Sequence, residues 1–334
     1  MLRFGYKASA EQFGPAELLK FAILAEERGF DSVFISDHFQ PWCHTGGHAP
    51  FAMAWLAAFG ARTSRILMGT SVLAPTFRYH PSIVAQAFGT LGVLYPGRIV
   101  LGVGTGESLN EVPAIGMVWP EPKERTARLK EAVKLIRALW SEDRVSFEGE
   151  FYRTKKATIY DRPSVMPAIY VAGAGPLIAK YAGQVADGFI CTSGKDIELY
   201  RGTLLPNVDA GLALVGRALG SIDRLIEMKV SFDTDLGRAL ADTRYWAALS
   251  LSPEEKMSVE DPLEMERLAN TLPAARTAKR WIVSSDPDEH VERIRPYVEL
   301  GFRHLVFHAP GPDQEQFIRT YSAEVLPRLR AAFE

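Results

Sequence analysis

The sequence is poor in three things that would have narrowed its function at once. Only two cysteines, Cys43 and Cys191, stand among 334 residues, with no CxxC spacing between them. That excludes a cysteine zinc site and a disulfide framework, and it points to a reducing compartment. The charge balance is nearly even, 38 basic against 40 acidic residues for a net charge of −2. Such a chain lacks the electrostatic footprint of a nucleic-acid or anionic-membrane binder, although local basic clusters can still hold small anions. No run approaches about 18 consecutive apolar residues, and the opening Met1–Lys7 reads as a strand without a signal peptide's apolar core. The expectation is a cytoplasmic protein with neither membrane nor nucleic acid as partner.

What is present is ordinary globular composition, 47% hydrophobic and 23% charged, enough for a sizeable core. The order of elements is more telling. Short runs rich in β-branched and aromatic residues, Phe30–Ile35, Arg65–Leu73, Arg98–Gly104, Ala168–Ala172, Gly188–Thr192, Glu227–Phe232, Arg280–Val283 and Arg303–Phe307, follow the first strand and read as buried strands. Between them lie helical segments. Pro15–Gly29 starts with Pro and ends with Gly, Pro50–Gly60 and Pro81–Leu94 follow, and Lys123–Trp140 places Leu129, Val133, Ile136 and Trp140 on one face. Val145–Tyr160 alternates about Glu148-Gly149-Glu150 and is expected to be an inserted hairpin. Repeated βα alternation of this length predicts a (β/α)8 TIM barrel as one domain, 1–334, with a helical insertion at about 247–277 covering the mouth.

In such a barrel the strand C-termini carry the chemistry. Strand Phe30–Ile35 runs into Ser36-Asp37-His38-Phe39-Gln40-Pro41-Trp42. His38 there is suited to proton abstraction near neutral pH, and Trp42 to shielding the site or facing a cation. His44 and His48 lack metal-ligand spacing, so no metal is expected, and His80 and His308 read as structural. Gly102-Val103-Gly104-Thr105-Gly106-Glu107 does not fit a dinucleotide fingerprint. Its glycines instead admit a flat ligand to the backbone, with Glu107 and Asn110 as polar handles. Ala172-Gly173-Ala174-Gly175-Pro176 is either an anion site at a helix N-terminus or a tight turn. Thr192, Lys195, Lys256 and Arg280 are solvated groups if they stand apart and a phosphate clamp if they converge.

Longer runs carry a family resemblance: Gly5–Phe13, Ser36–Trp42, Gly46-Gly47-His48-Ala49-Pro50, Gly102–Glu107, Phe189–Lys195 and Lys279–Val283. Through them the chain resembles the luciferase-like, deazaflavin-dependent (β/α)8 oxidoreductases, most closely the coenzyme F420-dependent glucose-6-phosphate dehydrogenases. The resemblance implies a homodimer that oxidises glucose 6-phosphate to 6-phosphogluconolactone with transfer of hydride from sugar C1 to deazaflavin C5. It implies that His38 is the base, that Glu107 serves the reduced ring, and that Trp42 steadies the transition state. Asp37, Asn110 and the backbone of Ala174, Gly175 and Pro176 would bind F420, and Thr192, Lys195, Lys256 and Arg280 the sugar phosphate. It also implies a cis peptide at Ser71-Val72. Two departures stand out: Ala74 where the family commonly has Thr, and Met257 where close relatives can carry His. The rival readings are an F420-dependent dehydrogenase of another sugar phosphate or alcohol, an FMN-dependent monooxygenase of the same superfamily, and a non-catalytic binding protein.

Overall fold

The computed structural model describes residues 1–256 and 259–333. Its strands are β1 (Arg3–Ala8), β2 (Ser32–Ile35), β3 (Leu67–Thr70), β4 (Ile99–Val103), β5 (Val145–Glu148), β6 (Arg153–Ala157), β7 (Ala168–Ala172), β8 (Gly188–Thr192), β9 (Asp223–Phe232), β10 (Ile282–Ser284) and β11 (His304–His308). Eight of them, β1-β2-β3-β4-β7-β8-β9-β11, pair in parallel, and β11 returns to β1, so the sheet closes into the expected barrel. Helices lie between the strands, because each parallel crossover must return over the outer face.

Two strands stand outside the ring as foreseen, since β5 and β6 form an antiparallel hairpin between β4 and β7. A third does so against expectation. Arg280–Val283 reads as a barrel strand, yet β10 is a three-residue extension that, among the described residues, pairs only with the last residues of β9. The reason is the length of β9, which starts at Asp223 and runs for ten residues. Its Leu225–Lys229 segment pairs with β11, and Val230–Phe232 overhangs the barrel and takes β10 as a partner.

The main core lies between strands and helices, built from Phe4, Phe30, Leu101, Phe189 and Phe307 among others. Inside the barrel a smaller layer of Phe34, Val100, Tyr170, Ile190, Leu225 and Val306 fills the lumen. The described residues of segment 247–277 are largely helical, with α-helices Pro253–Lys256, Pro262–Asn270 and Ala274–Ala278. It forms a separate apolar cluster in which Trp246, Met265 and Leu272 pack with Trp42 and Trp281. The insertion is thus stitched to the loops at the mouth. Trp246 Nε1 donates to Gln12 Oε1 at 3.0 Å, and Thr45 N donates to Glu266 Oε2 at 2.8 Å. Among the described residues no helix is long and apolar enough to cross a membrane.

The opposite end of the barrel is closed by polar groups. Asp223 Oδ2 accepts from Tyr170 Oη at 2.6 Å, lies 2.5 Å from Arg3 and 2.9 Å from His304 Nδ1, and His304 Nε2 meets Ser32 Oγ at 2.7 Å. Burial opposes the Asp223 carboxylate, but His304 and Arg3 outweigh it and pull the pKa down to about 2. A pKa depressed in the folded state gives stability that is present above the unfolded value and lost as pH falls through the folded one. Asp223 should therefore contribute roughly 2 kcal/mol at neutral pH that disappears between about pH 4 and pH 2. Denaturant titrations across that window should show a shallower acid loss for Asp223→Asn than for the parent.

Candidate active site

The strand C-termini converge on a cavity of about 450 Å³, within the range of small-molecule sites. Its wall includes Asp37 and His38 after β2, Ser71, Val72 and Ala74 after β3, Gly104–Glu107 and Asn110 after β4, Ala172–Ala174 after β7, and Thr192 at the end of β8. A second cavity of about 720 Å³ is lined by Gly194, Lys195, Lys229, Arg276, Lys279, Arg280 and Trp281, among others.

His38 has the most defined chemistry. Its Nδ1 lies 3.1 Å from the Gln40 carbonyl oxygen. A carbonyl can only accept, so in the neutral ring the proton sits on Nδ1 and Nε2 carries the lone pair. Nε2 is 3.4 Å from Glu11 Oε1 and 3.7 Å from Glu107 Oε2. Glu11 is buried and accepts from Ser36 Oγ at 2.7 Å. Burial alone would raise its pKa, but His38, Lys7 and the Ser36 bond hold it below the ordinary carboxylate value. Glu107 is half exposed at the cavity rim. The arrangement is a proton acceptor with two anions ready to stabilise its protonated form.

Glu11 was not singled out by sequence reasoning. The available signal was an acid in the small-residue run Ala8-Ser9-Ala10-Glu11 just past a buried strand. Its partnership with His38, 27 residues on, emerges only when β1 and β2 pair.

Asp37 lines the cavity, but its carboxylate is committed to the protein. Oδ2 accepts from Arg78 at 2.8 Å and from Tyr79 Oη at 2.8 Å, and Arg78 Nε reaches Glu111 at 3.3 Å. Asn110 is engaged through its oxygen, Oδ1 accepting from Phe39 N at 3.0 Å and Gln40 N at 3.2 Å. Both residues hold the loop that presents His38. Trp42 is tilted against His38, ring centroids 5.9 Å apart, and Lys256 Nζ stands 5.0 Å over its ring.

The cations do converge. Lys195 is pulled below the ordinary lysine value by burial and then by Arg280 and Lys256, and Lys256 is lowered by burial and by Arg280, with Glu107 opposing. Gly194 makes the approach possible, because its φ is +77° and a side chain there would collide with the Arg280 backbone. Arg280 Nη1 donates to the Leu249 carbonyl at 2.6 Å, which ties it to the insertion. Among the described residues none of the three cations has a carboxylate within salt-bridge distance. A cluster of mutually repelling cations is suited to a dianion.

The other wall suits a flat ligand with an anionic tail. A side chain at Gly104 would press on Val72 at 2.8 Å, and one at Gly106, where φ is +81°, on Ala74 at 3.3 Å. Helix Pro176–Val185 begins at Gly175 without a side-chain cap, which leaves its first N–H groups for an anion. Ser71-Val72 is a cis peptide, as expected. His80 caps a helix and His308 is buried beside Trp246 and Trp281, both structural placements. Met257 lies outside the described residues. Ala74 lines the cavity without a hydroxyl.

Comparison with known proteins accords with this picture. The family model for luciferase-like monooxygenases matches residues 2–304. The chain is 66% identical over 330 residues to the F420-dependent glucose-6-phosphate dehydrogenase of Nakamurella multipartita, covering 99% of this chain and 97% of that one. It is 63% identical over 332 residues to the enzyme of the same name from Microbacterium testaceum, covering 99% and 98%. Among solved structures, an F420-dependent secondary alcohol dehydrogenase in complex with an F420-acetone adduct superposes with a TM-score of 0.93 at 33% identity, covering 98% of this chain and 99% of that one.

The Asn110 bonds are directly testable. Asn110→Ala leaves the Phe39 and Gln40 N–H groups without an acceptor, at a cost of about 1–3 kcal/mol. Amide hydrogen exchange should accelerate at Phe39 and Gln40, while Asn110→Asp, which keeps the acceptor, should retain protection.

Proposed function

The chain belongs to the luciferase-like monooxygenase family, and we propose that within it this protein is an F420-dependent glucose-6-phosphate dehydrogenase that oxidises the sugar at C1 to 6-phosphogluconolactone. One observation carries the reading. A histidine flanked by two carboxylates and three cations without close carboxylate partners meet at one barrel mouth. A monooxygenase acting on an uncharged substrate has no use for the second group.

F420, when bound, supplies the acceptor for the hydride that leaves C1. The glycine-lined wall fits its flat ring, and Asn110, Ser71, Val72, Ala74 and the backbone of Ala174, Gly175 and Pro176 would hold it. Asp37 contributes mainly by fixing Arg78, Tyr79 and the His38 loop.

This chain's part in the reaction is binding, orientation and one proton. Lys195, Lys256, Arg280 and Thr192 take the phosphate, and that binding energy, remote from C1, orients the reacting end. His38 Nε2 receives the proton of the C1 hydroxyl, since its other nitrogen already donates to Gln40. Glu11 and Glu107 stabilise the imidazolium that results, and Glu107 at the rim also balances charge near the ring. Trp42 shields His38 on one side and supports Lys256 on its face.

We propose also that residues 1–334 act as one barrel domain, as a homodimer in the cytoplasm. The homodimer rests on the family resemblance. The cytoplasmic location rests on the scarcity of cysteine, only Cys43 and Cys191, both of them free.

The test is the loss of oxidised F420 absorbance. Mixing protein, F420 and glucose 6-phosphate should bleach the cofactor, whereas FMN in place of F420 should not react. A protein that binds F420 but bleaches it with no sugar phosphate would contradict the reading. His38→Ala should lower turnover by about 10²–10⁴-fold and leave F420 affinity within about twofold.

A further inference from the structure

The cofactor cavity has a charged feature that neither the ring site nor the phosphate clamp uses. Besides the residues discussed, its wall includes Pro122, Arg125 and Thr126, in the first turns of helix Pro122–Ser141. The Arg125 guanidinium lies over the Trp119 ring, 4.8 Å from its centroid. Trp119 is itself braced against Phe77, ring centroids 5.2 Å apart, and a Cβ on Gly106 would come within 3.2 Å of its indole. The shelf under Arg125 is therefore continuous with the glycine wall.

Apart from that ring, Arg125 has no partner among the described residues. Among the described residues its side chain makes no hydrogen bond or ion pair, and its Nε is buried without an acceptor. Glu121 is the charge that acts on it, at longer range, while burial works against the cation. Arg128 makes the contrast plain, since it bonds Glu124 at 2.8 Å and lies over Phe151 at 4.3 Å. A guanidinium stacked on an indole keeps its N–H edges free for a planar anion.

We propose that Arg125, held on Trp119, is the binding site for the carboxylates of the glutamyl tail of F420. The proposal rests on the F420 reading above. It divides the tail between two positions. The uncapped start of helix Pro176–Val185 takes the phosphodiester, and Arg125 takes the carboxylate segment beyond it by a charge-assisted, forked contact.

Fluorescence titration with three ligands tests this: F420 with its glutamates, F420 trimmed of its glutamates, and the deazaflavin riboside lacking phosphate and glutamates. Arg125→Ala should bind full F420 about tenfold more weakly than the parent and the other two with unchanged affinity. The parent's preference for the full cofactor should shrink as salt rises, and that of Arg125→Ala should not. Arg125→Lys, which keeps the charge without the fork, should fall between. Equal affinity of parent and Arg125→Ala for full F420 would overturn the proposal. So would an equal loss for all three ligands, which marks a structural defect, or a loss shared by the trimmed cofactor, which places Arg125 on the phosphate. A parent protein that binds none of the three would instead contradict the F420 reading on which the proposal stands.

Discussion

The barrel mouth is organised by a separation of charge that the protein does not neutralise by itself. On one side Glu11 and Glu107 flank His38, and on the other Lys195, Lys256 and Arg280 repel one another in a half-buried cluster. Holding like charges together without counter-ions costs stability, and the cost is offset when a dianion enters. The same separation would orient a substrate that carries an anion at one end, because the two ends would meet opposite fields.

The scaffold keeps these two sides apart and rigid. Each reactive group sits just beyond a parallel strand whose register is locked by its neighbours, from β1 for Glu11 and β2 for His38 to β8 for Lys195. The insertion adds the rest. It brings Lys256 over Trp42, receives Arg280 at the Leu249 carbonyl, and buries Trp42 and Trp281 in its own apolar cluster.

Much of this was legible in the sequence wherever local pattern decides the outcome. Strands such as Gly188–Thr192 and the helix over Lys123–Trp140 are written in periodicity, and the hairpin in the alternation about Gly149. The placement of His38, Glu107 and Asn110 just beyond β2 and β4 followed from the barrel topology, whereas the meeting of Lys195 with Lys256 of the insertion and Arg280 ahead of β10 was left open by the sequence. What was not legible depended on partners distant in sequence. Arg280–Val283 has the composition of a barrel strand, and only the overhang of β9 makes it an extension. Asp37 reads as a ligand for the cofactor, yet Arg78 and Tyr79, more than 40 residues away, claim its carboxylate. Glu11 went unassigned because nothing near it in sequence shows that Ser36 and His38 complete its surroundings.

In the proposed reaction the cation cluster reads the phosphate while the histidine side performs the chemistry. The most direct measurement is the ratio of kcat/KM for glucose 6-phosphate to that for glucose, in the parent and in Lys195→Met. The ratio should fall by about 10–100-fold through the phosphate substrate alone, with the rate on glucose unchanged. An unchanged ratio, or an equal loss on both sugars, would contradict it.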